Sequence, residues 1–492
     1  MHVLLLAMPN TAFYFHHFAV LPNLALCSIA GNIGEEHHLS IADLVLQRRN
    51  VRGFLEKRLL CDPPDLVGLS SMSFQSKTAR SIARFIKTFN PEIRIALGGY
   101  HASMIPEEVG RSWGNDIDFI VKREGEHTFK ELLHALENNE TDLQHIKGLS
   151  YRKNGEFIHN AWRPLTELSS LNLPNRDVRL LTKGFHILGK KADVIETSRG
   201  CKYECKFCSI NKMYGRSFRA YKIERILTDI ENCKKQGTKA IFFADDNISL
   251  NSRHFRNLCE GIIKRGLTDI HYTTQAHVGS LYSKPKLLKL ALEANFKAFF
   301  LGIENPHQEK LQTIGKNVSN MAKKAEAVVS QIRGHGAIAM GGLIVGNPDD
   351  KVEDFYNVLH YTKQIKADAP VFFVLTPYPN TQIREILIQK KLVTNPYDYS
   401  NYDALSANIK TSYLTTDAVE ILTEYLYDNF KSLDWIFHTN LRRAYPWYFL
   451  KLLRRLLPLS LIKIHHKIKR ENYNSFLKKM VMIKKDFRNL KR

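Results

Sequence analysis

Hydrophobic and polar positions along the chain form two successive series of short apolar runs, with stretches of helical period between them. In the first series, residues 2–8 (HVLLLAM), 65–74 (DLVGLSSMSF) and 93–100 (IRIALGGY) carry near-continuous apolar runs, the pattern of strands buried on both faces. Residues 76–89 (SKTARSIARFIKTF) and 127–137 (HTFKELLHALE) repeat apolar residues at helical spacing. Residues 118–126 (DFIVKREGE) add a strand with its following loop, and 148–160 (GLSYRKNGEFIHN) read as a hairpin turning at Asn154–Gly155. Strands alternating with helices predict an α/β fold, with a doubly wound, Rossmann-like sheet over residues 1–165. Ligands of such sheets lie outside the carboxyl ends of the strands. Those ends carry Ser70, Ser71 and Ser73, then Gly98, Gly99 and His101, then Arg123, Glu124, Gly125 and Glu126.

Residues 168–180 (LSSLNLPNRDVRL) lack either period and predict a linker or lid over 166–187. A second series follows, with strands at DVIET, KAIFFAD, DIHYTTQ, KAFFLGI, AIAMGGLIV and VFFVLTP. Helical patterns separate them; Ile223, Ile226, Leu227 and Ile230 share one helix face. Six such units predict a partial (β/α)6 TIM-like barrel over 188–395, with its chemistry at the C-terminal ends of the strands. Residues 396–492 are predicted to be mostly helical. Near their end, Tyr473, Phe476, Leu477, Met480, Ile483, Phe487 and Leu490 fall near one face, and Lys478, Lys479, Lys485 and Arg488 largely off it.

Composition changes this picture in two places. Seven cysteines with no even spacing, in a chain of 492 residues, argue against a disulfide scaffold and for a reducing compartment. The opening apolar run is too short for a signal peptide, and no run reaches the ~18 residues of a membrane span, so a cytoplasmic protein is expected. The net charge of +22 is concentrated: residues 441–492 hold 16 Lys+Arg against Glu471 and Asp486. The basic character therefore belongs to the tail, and a nucleic-acid partner is not expected. Aromatic and leucine residues interleaved with Lys/Arg over 444–469 suit a helix lying in an anionic membrane surface, placing the protein peripherally at the inner face. A helical cap on the barrel with a solvated basic face is the other reading.

The chemistry is concentrated at SRGCKYECKFCSI (198–210), directly after the first barrel strand. Cys201, Cys205 and Cys208 can surround one centre on a tight loop. Thiolates select zinc or an iron–sulfur cluster. Zinc would need a fourth ligand, such as His186 or His254. A [4Fe-4S] cluster held by three cysteines keeps one iron open.

This CxxxCxxC loop, with Phe207 before the last cysteine and six βα units around it, resembles the radical S-adenosylmethionine (SAM) superfamily. The resemblance implies that Cys201, Cys205 and Cys208 hold a [4Fe-4S] cluster whose open iron chelates SAM. Reductive cleavage to a 5′-deoxyadenosyl radical then follows. It also implies SAM contacts from Phe207, from Asp245 in ADDN, from Gln275, from Glu304 in LGIEN toward the ribose, and from Gly342 in GGLIVGNP toward the adenine. Residues 1–165 resemble the cobalamin (B12)-binding domain that precedes the barrel in one class of the superfamily. That implies cobalamin contacts from Ser70, Ser71, Ser73, Gly98, Gly99, Glu124, Gly125 and Glu126. The family often has glycine where this chain has Arg123, and no D-x-H-x-x-G segment supplies a cobalt-binding histidine. The class includes lipid and hopanoid methylases and porphyrin cyclases. The expected activity is therefore methylation of an unactivated carbon in a hydrophobic or lipid substrate, with flavodoxin or ferredoxin as electron donor. Ring formation on a lipid or tetrapyrrole is the alternative outcome, and a non-catalytic metal- or cluster-bearing membrane adaptor the alternative of another class.

Overall fold

The computed structural model describes residues 1–10 and 18–453. In chain order its strands are β1 (His2–Ala7), β2 (Ala19–Val20), β3 (His38–Asp43), β4 (Leu66–Ser70), β5 (Arg94–Gly98), β6 (Phe119–Val121), β7 (Leu149–Lys153), β8 (Glu156–His159), β9 (His186–Ile187), β10 (Lys190–Ile195), β11 (Ser198–Arg199), β12 (Arg219–Ala220), β13 (Ala240–Phe243), β14 (His271–His277), β15 (Phe296–Glu304), β16 (Ile338–Val345) and β17 (Val371–Val374).

The first sheet has the order β3-β1-β4-β5-β6-β7-β8, parallel through β6 and closed by the β7–β8 hairpin. The unbroken apolar run of β1 has a direct cause. Val3, Leu5 and Ala7 pack with Leu26, Phe129 and Leu132 on one face; Leu4 and Leu6 pack with Leu55, Ile82 and Ala83 on the other. Strand β3 is absent from the sequence reading because His38, Ser40 and Asp43 interrupt its apolar pattern.

The second sheet has the order β17-β16-β15-β14-β13-β10-β9-β2. Its six parallel strands, β10 and β13 to β17, are the six predicted from the sequence, side by side in chain order. The barrel stays open, with β17 and β2 as its edges. The β17 edge is protected by helix Thr416–Phe430: the Tyr427 hydroxyl accepts from Phe372 N (2.9 Å) and donates to Phe372 O (3.1 Å).

Three expectations need correction or completion. First, Ala19 and Val20 pair with β9, so the N-terminal segment contributes a strand to the barrel sheet. Second, of the two readings of residues 166–187, linker or lid, the contacts fit the linker. Ile41 N donates to Val178 O and Leu180 N to Ile41 O, which covers the free edge of β3. Arg176 and Arg179 from the same stretch are buried against Asp193 of β10. Third, the C-terminal helices begin at Thr416, and those near the end pack at the N-terminal end of the barrel. Trp435 Nε1 donates to Asp368 O (2.8 Å), Asn440 N donates to Asp368 Oδ1 (2.7 Å), and Tyr445 meets His271 edge-on, all before or at strand starts. The predicted apolar face from Tyr473 to Leu490 lies outside the described residues. Among the described residues no helix is long and apolar enough to cross a membrane.

Candidate active site

After β10 the chain passes through β11 into the cysteine loop. Cys201, Cys205 and Cys208 line a cavity of about 420 Å³ at the C-terminal ends of the barrel strands. The loop is pinned on several sides. Gly200 N donates to Asp246 Oδ2 (2.9 Å), Lys206 N to Ile314 O (2.9 Å), and Ile383 N to Lys206 O (3.0 Å). Gly200 has φ +88°, and a Cβ there would lie 2.5 Å from Ser217 O, so only glycine fits.

The donor set suits a cluster better than zinc. Among the described residues the three sulfurs do not all come within 4.8 Å of one another. A tetrahedral zinc–thiolate site, with Zn–S bonds of about 2.3 Å, needs sulfurs about 3.8 Å apart. His186 and His254, the histidines a zinc site would have required, do not line the cavity. Burial pushes the Cys205 thiol up to about 11 and Cys208 up to about 12. Free thiols here are protonated and poor nucleophiles, which argues against covalent catalysis by cysteine.

Phe207, Gln275 and Glu304, to which the resemblance gives SAM contacts, line the same cavity. Glu304 sits at a register shift in β15 with φ +62°, which turns its carboxylate out of the strand pattern. Two predicted residues are placed elsewhere. Asp245 is fully buried, accepting from Thr197 N and Oγ1 and from Ser198 Oγ (3.1, 2.6 and 2.5 Å). It ties β13 to the start of the cysteine loop, and its neighbours Asp246 and Asn247 line the cavity instead. Gly342 also does not line it. A Cβ there would lie 2.6 Å from the Phe300 ring, so the glycine makes room for Phe300, which does.

Two contributors escape sequence reading. Lys316, from the loop after helix Gln308–Thr313, is buried and donates to Glu304 Oε1 at 2.8 Å. Burial works against its charge, but the charge and hydrogen bond of Glu304 offset burial and hold it protonated. His277, at the end of β14, stacks on Tyr203 with ring centroids 4.4 Å apart. Burial, then Lys316 and Lys324, push it down to about 3, so the imidazole is neutral. No motif marks either residue; each reaches the cavity only through the barrel's curvature.

Two further cavities lie between the sheets. One, of about 240 Å³, is lined by Ser70, Gly98, Gly99, Arg123, Glu124, Gly125 and Glu126 together with Glu196, Arg199 and Tyr214 of the barrel. The other, of about 280 Å³, joins Met72, Ser73, Tyr100 and Met104 to Ser209, Ile210, Tyr378 and Tyr402. It shares Ile210 and Tyr378 with the cysteine cavity. Ser71 lines neither cavity. Its backbone pairs with Gly98 and His101, and a Cβ on Gly99 would strike its carbonyl oxygen at 2.6 Å. His101 packs against Trp113 and Tyr399 and also faces neither cavity.

The strand ends offer a buried donor to a ligand. Arg123 Nε is a buried donor with no protein partner, on a residue lining the cavity. Arg123 has φ +59°, where glycine is at ease and another residue costs about 1 kcal/mol. Its side chain stacks on Trp162, 4.6 Å from the ring centroid.

Residues 195–362 match the radical SAM superfamily, and residues 19–133 match the B12 binding domain. This chain belongs to the B12-binding radical SAM enzymes. It is 28% identical over 411 residues to an uncharacterized methyltransferase of Pyrococcus horikoshii, covering 83% of this chain and 87% of that one. It is also 28% identical to the hopanoid C-3 methylase of Methylococcus capsulatus, covering 76% and 70%. A radical SAM methyltransferase of Kitasatospora setae, solved with cobalamin and a [4Fe-4S] cluster bound, shares the fold at TM-score 0.66 and 18% identity, covering 79% and 75%. The cofactors of this radical SAM enzyme are accordingly a [4Fe-4S] cluster, SAM and cobalamin. The three-cysteine cavity suits the first two and the strand-end cavities the third.

Proposed function

We propose that this radical SAM enzyme methylates an unactivated carbon of a hydrophobic substrate. The observation that carries this reading is the continuity of the cavities: Ile210 and Tyr378 form a shared wall between the cysteine cavity and the one at the strand ends of the first sheet. Bound there, the cluster supplies the electron that splits SAM, and cobalamin supplies a methyl carrier. The chain's own residues position and exclude. Cys201, Cys205 and Cys208 provide thiolates, Glu304 offers a carboxylate to ribose hydroxyls, and Lys316 holds that carboxylate in place. Phe300, Phe373, Ile344, Val374 and Leu375 line the cavity with apolar surface that keeps water from a reactive carbon radical. Lys316, the cation on this wall, is committed to Glu304, which suits a substrate uncharged at its reacting end.

Lipid extract from cells lacking the gene, incubated anaerobically with the cluster- and cobalamin-loaded enzyme, a reductant such as flavodoxin and methyl-labelled SAM, tests this. Label is expected in an extractable product, together with 5′-deoxyadenosine. Deoxyadenosine with an unlabelled product would replace methylation by ring formation or oxidation.

The basic tail supports attachment to an anionic membrane surface. Residues 454–492 carry thirteen Lys/Arg against two acids. Leu441, Tyr445 and Phe449 just before them are buried, so truncation must follow residue 453 to spare the fold. Removing 454–492 should lower sedimentation with phosphatidylserine-containing liposomes roughly tenfold or more at low salt. Unchanged sedimentation rejects the attachment.

A further inference from the structure

We propose that Arg199 is a positioning residue that couples the cysteine cavity to the strand-end cavity of the first sheet, so that order in one loop stabilises the other. The proposal rests on the cofactor assignment above. Arg199 lies two residues before Cys201 and is buried. Its guanidinium reaches three carboxylates from two domains. Nη1 donates to Glu124 Oε1 (2.9 Å), Nη2 to Glu126 Oε1 (2.7 Å), and Nε to Glu196 Oε2 (2.9 Å). Glu124 and Glu126 flank Gly125 in the loop after β6; Glu196 follows β10.

A second layer holds these carboxylates. Arg219, on the strand paired with that of Arg199, grips Glu124 through Nη1 and Nη2 (3.0 and 2.9 Å) and donates to Thr166 O (2.6 Å). Ser28 donates to Glu126 Oε1 (2.8 Å), and Tyr221 to Glu196 Oε2 (3.2 Å). Lifting the 124–126 loop from the barrel would strand buried guanidiniums and carboxylates without partners, so the loop and β11 are favoured docked together.

The network lines one cavity and adjoins the other along the chain. Glu124, Gly125, Glu126, Glu196 and Arg199 all line the one between the domains. On the other side, Arg199 connects to Cys201 through Gly200 alone, whose N–H is fixed by Asp246 and whose conformation admits no side chain. A ligand that orders the carboxylate loop therefore orders the root of the cysteine loop. By linkage the effect is reciprocal.

Equilibrium dialysis of hydroxocobalamin against the full chain, with its cluster reconstituted or its iron stripped by a chelator under anaerobic conditions, tests the coupling. The wild-type protein should bind hydroxocobalamin roughly tenfold more tightly with the cluster in place. Arg199→Lys keeps the charge but loses the three-way fork, and the ratio should fall to about twofold or less. Glu126→Gln, which keeps an acceptor for Ser28, should reduce the ratio in the same direction. Equal wild-type affinities in the two states would overturn the proposal whether or not either variant folds. So would an undiminished ratio in both variants. Failure of both wild-type forms to bind hydroxocobalamin would overturn the cobalamin assignment and the coupling with it, a result distinct from binding without coupling.

Discussion

Cys205→Ala should reduce 5′-deoxyadenosine production from SAM below detection, a loss of roughly a thousandfold or more. Cys205 lies in the middle of the loop and lines the cavity beside Lys316 and Glu304. Without it two thiolates remain, one fewer than a cluster open at a single iron requires. The loss would not arise from unfolding. Cys205 is only partly buried, and the loop is anchored by backbone bonds through Lys206 that the substitution leaves in place. The thermal melting midpoint of the protein before reconstitution should therefore stay within the range of an ordinary surface change, about 0.5 kcal/mol. Cys61→Ala, an exposed cysteine on the far domain, is the control and should retain iron and deoxyadenosine production. Deoxyadenosine formation by Cys205→Ala at the wild-type rate would refute the cluster assignment.

The six barrel strands and most of the first sheet were legible because buried parallel strands leave unbroken apolar runs. The cysteine loop was legible because ligand spacing is local in sequence. What was not legible depends on curvature or on pairing across domains. Asp245 and Asp246 are adjacent and chemically alike, and only the direction of the chain after β13 decides which one staples Thr197 and which faces the cavity. Lys316 sits twelve residues from Glu304 with a helix between, and nothing in its surroundings marks it. The stretch from 166 to 187 has the composition of a loop, and its two buried arginines have meaning only beside Asp193. Glu124 and Glu126 were read as cofactor contacts; the structure adds their ion pairs to Arg199 and Arg219.

The position of the C-terminal helices bears on how the proposed hydrophobic substrate would arrive. The last of them, Leu433–His438 and Leu441–Ala444, pack at the N-terminal end of the barrel, and the cysteine cavity opens at the other end. The described helices that precede residues 454–492 therefore do not border the cavity. The apolar wall of Phe300 and Phe373 is therefore the better guide to the substrate than the charge of the tail.

Asp193→Ala should destabilise the protein by about 3–5 kcal/mol, because it leaves the buried Arg179 guanidinium without its carboxylate. Asp193 accepts from Arg176 Nε (3.2 Å) and from Arg179 Nη1 and Nη2 (2.7 and 3.1 Å). Arg176 retains Asp229 and Val194 O, but Arg179 keeps no hydrogen-bonded carboxylate, only the Cys27 sulfur 3.2 Å from its Nε and the Phe185 ring 5.9 Å away. The Cys27 contact joins the first-sheet helix Leu24–Asn32 to the segment that Asp193 ties to the barrel, so the damage falls on the junction between the domains. An exposed pair such as Arg52–Glu56 offers the contrast, and its removal should cost less than about 0.5 kcal/mol. Burial pushes the Asp193 carboxyl up, but the Arg179 hydrogen bonds and charge, with Arg176, outweigh it and hold the group below the usual carboxylate range. A depressed folded value means that the contribution is fully present above the unfolded carboxylate value near 3.9 and is lost as pH falls through the folded one. The difference in melting midpoint between wild type and Asp193→Ala should therefore be flat from pH 6 to 8 and narrow only in acid. A difference of under about 1 kcal/mol at neutral pH, or one that widens on acidification, would show that Asp193 does not hold the two arginines in place.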